Sequence, residues 1–177
     1  MNQSLLIFAI FLTFFGCSQL ELTASQCQTY DWKQAGEKDG AGGESLLHSV
    51  RNACLESQYI VASEEEELYM EGFKKTYCQT ERAFRRGLDL KSYDLDVCSD
   101  PSRKLLSNAY TLGKKRGTLK KQIRELDQKR RDILVRLMNT DLSKKLKEKL
   151  NSRKREYERE IRELERDLSS LPESFIE

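Results

Sequence analysis

Apolar residues fall into three regimes along the chain. Leu5 to Phe15 (LLIFAIFLTFF) is an almost continuous apolar run. From Cys27 to about Asp100, rings and glycines recur at helical spacing among charges. Beyond Pro101 the sequence is almost wholly charged and aliphatic, with no Pro until Pro172 and no Gly after Gly117. No window alternates with period two, so the pattern predicts an all-α protein with no sheet.

The middle regime predicts four short helices. Asp31 can cap the first, which carries Trp32, Gly36 and Gly40 and ends in the Gly40–Gly43 stretch. Glu44 to Leu55 forms the second. Ser63 with Glu66 reads as a capping box opening the third, which runs to Cys78. Thr80 and Glu81 start the fourth, through Phe84, Gly87 and Leu88 to Lys91. Ring and glycine recur together at Trp32–Gly36, Tyr69–Gly72, Phe84–Gly87 and Tyr110–Gly113, spacings that place both on one helix face. A helix-interior Gly costs about 1 kcal/mol relative to Ala, so four such cases imply close helix approach, with rings packed over glycine notches. The other reading is an aromatic cleft for a small ligand, lined by Trp32, Tyr69, Phe84 and Tyr110.

The last regime predicts a hairpin. Asp100-Pro101 is a helix start, a capping residue followed by Pro. Leu112, Leu119, Leu126 and Ile133 repeat every seven residues, with Ile123 and Leu137 on the second seam position and Arg116 and Arg130 as seam defects. Asn139-Thr140-Asp141 breaks the pattern and offers a fresh helix cap, and a second series runs from Leu142 to Leu171. A connector this short makes the two helices antiparallel. The expected architecture is a small disulfide-stapled helical head (27–100) followed by a long antiparallel coiled-coil-like hairpin arm (101–171) and a tail (172–177).

The apolar run is too short to span a bilayer, which takes about 20 residues as a helix, but it suits the core of a secretory signal peptide. Gly16-Cys17 follows it, as at a bacterial lipoprotein cleavage site. The expected plan is a signal peptide at 1–16 and a lipid-anchored tether at 17–26, with acylated Cys17 in the bilayer. An ordinary signal peptide cut near Ala24 or Ser25 is the alternative. Ser18 after the modified cysteine favours the outer membrane, with the protein facing the periplasm; an inner-membrane lipoprotein or a soluble periplasmic protein is the alternative.

Cysteine arithmetic agrees with export. Setting Cys17 aside leaves Cys27, Cys54, Cys78 and Cys98, an even number with no C-x-x-C pair. In an oxidising compartment they pair, which argues against zinc and against a nucleophilic thiolate. Four cysteines allow three connectivities; the shortest loops are those of Cys27–Cys54 with Cys78–Cys98.

Other candidate chemistry is thin. The sequence contains one His, His48, with no Ser or carboxylate spaced around it as a catalytic signature. Glu64–Glu67 sits at a helix start, where carboxylates favour the macrodipole, and lacks a calcium-loop spacing. No metal, cofactor or catalytic residue is expected. Charge is uneven under a total of +2: residues 27–100 carry nine Lys and Arg against fifteen Asp and Glu, and residues 118–171 carry seventeen against eleven. A basic arm suits an anionic glycolipid, peptidoglycan or another envelope protein, and the seam could join a second copy of the chain. Nucleic acid is not an expected partner of an exported protein.

Several segments together resemble a bacterial lipoprotein family known only as a domain of unknown function (number twenty-seven ninety-nine). They are CQTYDWKQAGEKDGAGG from Cys27, His48 with Cys54, YMEGFKKTYC ending at Cys78, FRRG, SYDLDVC ending at Cys98, and YTLGKKRG before the hairpin. In the family pattern a second glycine follows FRRG by three residues; here Leu90 stands there, and the Tyr93-to-Cys98 gap is one residue longer. The resemblance implies an exported lipoprotein with a cysteine-containing head and a helical arm. It implies no reaction and no active site, so the expectation is a non-enzymatic structural or interaction protein of the cell envelope, with a small-ligand-binding periplasmic head as the alternative.

Overall fold

The computed structural model describes residues 21–139 and 141–175. The expected signal peptide, Cys17 and the first part of the tether lie outside the described residues, as does Thr140 between the two long helices. Among the described residues the chain is all-helical, with no strand: α1 Ala24–Gln28, α2 Trp32–Gly42, α3 Leu47–Glu56, α4 Ser63–Tyr77, α5 Thr80–Leu88, α6 Asp100–Leu137 and α7 Lys144–Ser169.

The helix ends correct several expectations. The last residues of the tether are helical: Thr23 and Gln26 form a reciprocal capping box that starts α1. Gly43 closes α2 with φ at 84°, the left-handed conformation a glycine adopts without cost. α3 starts at Leu47 rather than Glu44, because the Leu46 amide donates instead to the Tyr69 hydroxyl (2.9 Å) and to Asp39 (3.2 Å). At α4 the cap is Ala62, not Ser63. Glu65 reaches back to the Ala62 amide (2.8 Å), and Glu66 pairs with Arg51 instead. α5 stops at Leu88, short of Lys91, and Leu90 takes the left-handed conformation (φ 58°). That is the position at which the resembling family has glycine. Ser99, not Asp100, caps α6, with Pro101 in its first turn. Ser143, not Asn139–Asp141, caps α7 by accepting the Leu146 amide.

Two helix crossings build the head, and both are made backbone to backbone. In the first, α2 lies on α4. A Cβ on Gly36 would stand 2.0 Å from the Tyr69 carbonyl oxygen, and one on Gly72 would stand 2.1 Å from that of Lys33. Gly40 meets the Phe73 carbonyl at 2.3 Å in the same sense. In the second, α5 lies on α6. Gly113 faces the Phe84 carbonyl (2.0 Å), Gly87 that of Tyr110 (2.2 Å) and Gly117 that of Leu88 (2.4 Å). The two sets match residue for residue. A helix with two glycines four apart (Gly36 and Gly40; Gly113 and Gly117) crosses one with a single glycine (Gly72; Gly87). Along the chain the order inverts, double then single, single then double. The close approach expected from the ring–glycine spacing is present, but the notches hold the opposing backbone rather than rings.

Trp32, Tyr69, Phe73, Tyr77, Phe84 and Leu106 are buried beside these crossings and form the core. Disulfides join Cys27 to Cys54 and Cys78 to Cys98. The first ties α1 to α3. The second ties the end of α4 to the segment entering α6, and so links the two crossing units.

α7 packs against α6. Of the seam residues Ile133 is buried, whereas Leu119, Ile123 and Leu126 on α6, with Ile161, Leu164 and Leu168 on α7, are half-buried. Arg116 is not a defect in this seam. Its buried guanidinium donates from Nη1 to the carbonyls of Leu168 (3.3 Å), Leu171 (2.6 Å) and Pro172 (2.8 Å). These carbonyls lie at and just beyond the C-terminal end of α7, where orphan acceptors and the negative end of the macrodipole favour a cation. Beyond them Phe175 packs back against the head core. Arg116→Ala is expected to cost about 2 kcal/mol, the scale of hydrogen bonds from a charged donor. Amide exchange should accelerate first over residues 165–171; unchanged exchange there would show that the cap does not hold the end of α7.

Candidate functional site

An open cleft of about 500 Å³ lies where the two crossing units meet. Its apolar wall is Met70, Phe73, Tyr77, Tyr93 and Val97. Gly43, Glu44 and Ser45 form one lip, and Ser92 and Asp94 the other, with Arg86 lining it from α5.

The wall is rigid for a reason visible in its rings. Tyr69, Phe73 and Tyr77 follow one another at four-residue spacing on α4, and Tyr93 and Tyr110 extend the row. Successive ring centroids are 6.4, 4.8, 4.6 and 5.9 Å apart in stacked arrangements. The polar ends are fixed as well. Tyr93 donates to the Tyr77 carbonyl (2.8 Å), the Tyr77 hydroxyl accepts the Asp94 amide (2.7 Å), and Tyr110 donates to the Lys91 carbonyl (3.2 Å). Tyr69 donates to Asp39 while accepting the Leu46 amide, which pins the Gly43–Leu46 lip.

Burial raises the hydroxyl pKa of Tyr69 to about 12, assisted by its hydrogen bond to Asp39. Burial likewise raises Tyr77 and Tyr93 above the ordinary tyrosine value. An unfolded tyrosine ionises near pH 10, so between there and about 12 the unfolded chain has shed protons that the folded chain keeps. Stability from these groups is therefore fully present below pH 10 and declines as pH rises through 12. The urea midpoint should hold to about pH 9 and fall steadily by about pH 11, and Tyr69→Phe should flatten that fall. An unchanged slope in the variant would mean that Tyr69 titrates as in the unfolded chain.

Arg86 is the unusual group. It is 8% exposed. Nε and Nη2 both donate to the Ser92 carbonyl (3.0 and 2.9 Å). Nη1 has no hydrogen-bond partner, and the nearest carboxylate, Glu44, stands 3.8 Å away with its side chain 75% exposed. A Cβ at Gly43 would come within 2.9 Å of the same nitrogen, so glycine leaves room there.

The four rings expected to line a ligand cleft do not do so. Trp32, Tyr69 and Phe84 are buried in the core, and Tyr110 is half-buried against Tyr93; none of them lines this cleft. Phe73, Tyr77 and Tyr93 take that place. The run of Tyr69, Phe73 and Tyr77 at i, i+4 and i+8 is the signal that points to two of them. His48 is exposed and meets Asn52 (3.2 Å). Glu64 to Glu67 stay apart functionally: Glu65 caps α4 and Glu66 pairs with Arg51. Among the described residues no group of three His, Cys, Asp or Glu side chains could hold a metal, and no helix is long and apolar enough to cross a membrane.

Residues 31–115 match the model of a family described as protein of unknown function (DUF2799). The chain carries a domain of this family. The DUF2799 segment begins just before α2 and ends two residues after Gly113, so it holds the first crossing, the second apart from Gly117, and every residue of the cleft. α7 lies outside it. Neither the curated proteins nor the solved structures contain a significant match to the chain.

Proposed function

We propose that this is an exported bacterial lipoprotein, anchored in the outer membrane through acylated Cys17 and acting as a non-enzymatic structural or interaction protein of the envelope. The observation that carries the reading is the pair of disulfides in the head, Cys27–Cys54 and Cys78–Cys98. Such bridges persist in oxidising compartments and are rare where thiols are kept reduced. The apolar run followed by Gly16-Cys17 supplies the route there.

In this reading α6 and α7 form an antiparallel coiled-coil-like hairpin. Beyond the crossing at Gly117, residues 118–137 of α6 extend about 30 Å, enough to carry a contact surface away from the head. The basic excess of the arm suits an anionic polymer, glycolipid or protein of the envelope.

Metabolic labelling with a radioactive fatty acid tests the anchor. The label should enter the wild-type protein and be absent from Cys17→Ala; label retained in that variant defeats the proposal. Crosslinking in cells from Arg155, exposed on α7, then identifies what the arm touches.

A further inference from the structure

We propose that the cleft of the head binds a small zwitterion with an apolar body, of the class of an aromatic or aliphatic α-amino acid, with its carboxylate on Arg86. This goes beyond the anchoring role and does not depend on it.

Three observations converge. The first is the orphaned donor. A buried donor without a partner costs about 1–3 kcal/mol, and nearly all such groups in native proteins are satisfied. Arg86 is more than nine-tenths buried, spends two of its nitrogens on one carbonyl and leaves Nη1 unpaired. An acceptor brought by a ligand completes it, and a carboxylate fits the guanidinium fork best. The Glu44 carboxylate stands 3.8 Å from Nη1 on a largely exposed side chain, so it can yield that place at little cost.

The second is charge. The cleft has one buried cation, Arg86, and two exposed carboxylates at its lips, Glu44 and Asp94. A simple anion would satisfy Arg86 but meet both carboxylates. A simple cation would leave Arg86 unpaired and be repelled by it. A molecule carrying both charges satisfies all three groups. Its ammonium lies near the lip carboxylates.

The third is the wall. Phe73, Tyr77 and Tyr93 are locked by stacking and by hydrogen bonds at their polar ends. The volume of about 500 Å³ is of the size of small-molecule sites, and a preformed apolar wall with few convergent polar groups is their usual composition.

Calorimetric titration of the full-length protein in detergent tests this with a panel of free L-phenylalanine, L-leucine and L-methionine. The methyl ester and the N-acetyl derivative of each amino acid, with phenylacetate, serve as single-charge analogues. At least one free amino acid should bind saturably at one site. Its ester, which lacks the carboxylate, and the two compounds lacking the ammonium should each bind at least about tenfold more weakly, the equivalent of 1.4 kcal/mol. Arg86→Gln should abolish binding. Because that change touches a buried group, the double variant Glu44→Gln with Asp94→Asn, at two exposed positions, is the companion. It should weaken the free amino acid about tenfold while leaving thermal unfolding in place. Three results would overturn the proposal: no saturable binding by any free amino acid, an ester or phenylacetate as tight as the zwitterion, or a double variant with wild-type affinity.

Discussion

Gly36→Ala should destabilise the head by more than about 3 kcal/mol, although it adds one methyl group to a helix and raises helix propensity. The reason is what the methyl would meet. Its Cβ would stand 2.0 Å from the Tyr69 carbonyl oxygen and 2.9 Å from the Phe73 amide nitrogen. Both atoms are backbone in the middle of α4, so no rotamer change can yield, and the whole helix must move. That movement opens the interface that buries Trp32, Tyr69 and Phe73. Gly42, near the end of the same helix, is the control. Nothing lies within 4 Å of a Cβ there, so Gly42→Ala should leave stability unchanged or raise it by up to about 1 kcal/mol. Gly113→Ala, whose Cβ would stand 2.0 Å from the Phe84 carbonyl, should behave like Gly36→Ala, because the second crossing repeats the first. Urea midpoints of the three variants check this. Gly36→Ala within about 1 kcal/mol of the parent would mean the helices are not in backbone contact.

These glycines also mark how far a single sequence can be read. Ring–glycine spacing identifies the helix face and demands a close neighbour, since the cost of each glycine needs compensation. It does not say which neighbour. That choice is tertiary, and here the opposing backbone fills each notch. Arg116 illustrates the same limit from the other side. As a charge in an apolar heptad it reads as a flaw, and only the position of the α7 end turns it into a cap. The helix caps were legible to within a few residues. At α3 the start is displaced because a tertiary acceptor competes: the Tyr69 hydroxyl takes the Leu46 amide. The cleft was the least legible feature. Its wall combines α4 with a loop residue, Tyr93, and its charged group comes from α5, so no local spacing announces it. Leu90 is a partial exception. The resembling family has glycine there, and the structure places that position at φ 58°, so the departure of this sequence falls at a backbone position that favours glycine.

The two disulfides should fail differently when removed. In chain-entropy terms they are nearly equal, since loops of 27 and 20 residues each correspond to about 3 kcal/mol of constraint on the unfolded chain. Their places in the fold are unequal. Cys27–Cys54 holds α3, which otherwise attaches through Val50 and Ala53, the Tyr69–Leu46 hydrogen bond and the exposed Arg51–Glu66 pair. Replacing both cysteines by alanine should release α1 and α3 while α2, α4, α5 and α6 remain folded. Amide exchange over residues 24–60 should then rise by orders of magnitude, with the main unfolding transition little moved. Cys78–Cys98 joins the two crossing units beside the Tyr77–Tyr93 stack. Its removal should lower the stability of the whole head by about 3 kcal/mol and loosen the wall of the cleft. That shows as a shift of the main transition and a lowered pKa for the Tyr93 hydroxyl, which burial now raises. A double replacement of Cys27 and Cys54 that shifts the global transition as far as the other pair would mean that α3 is part of the cooperative core, not a flap held by one bridge.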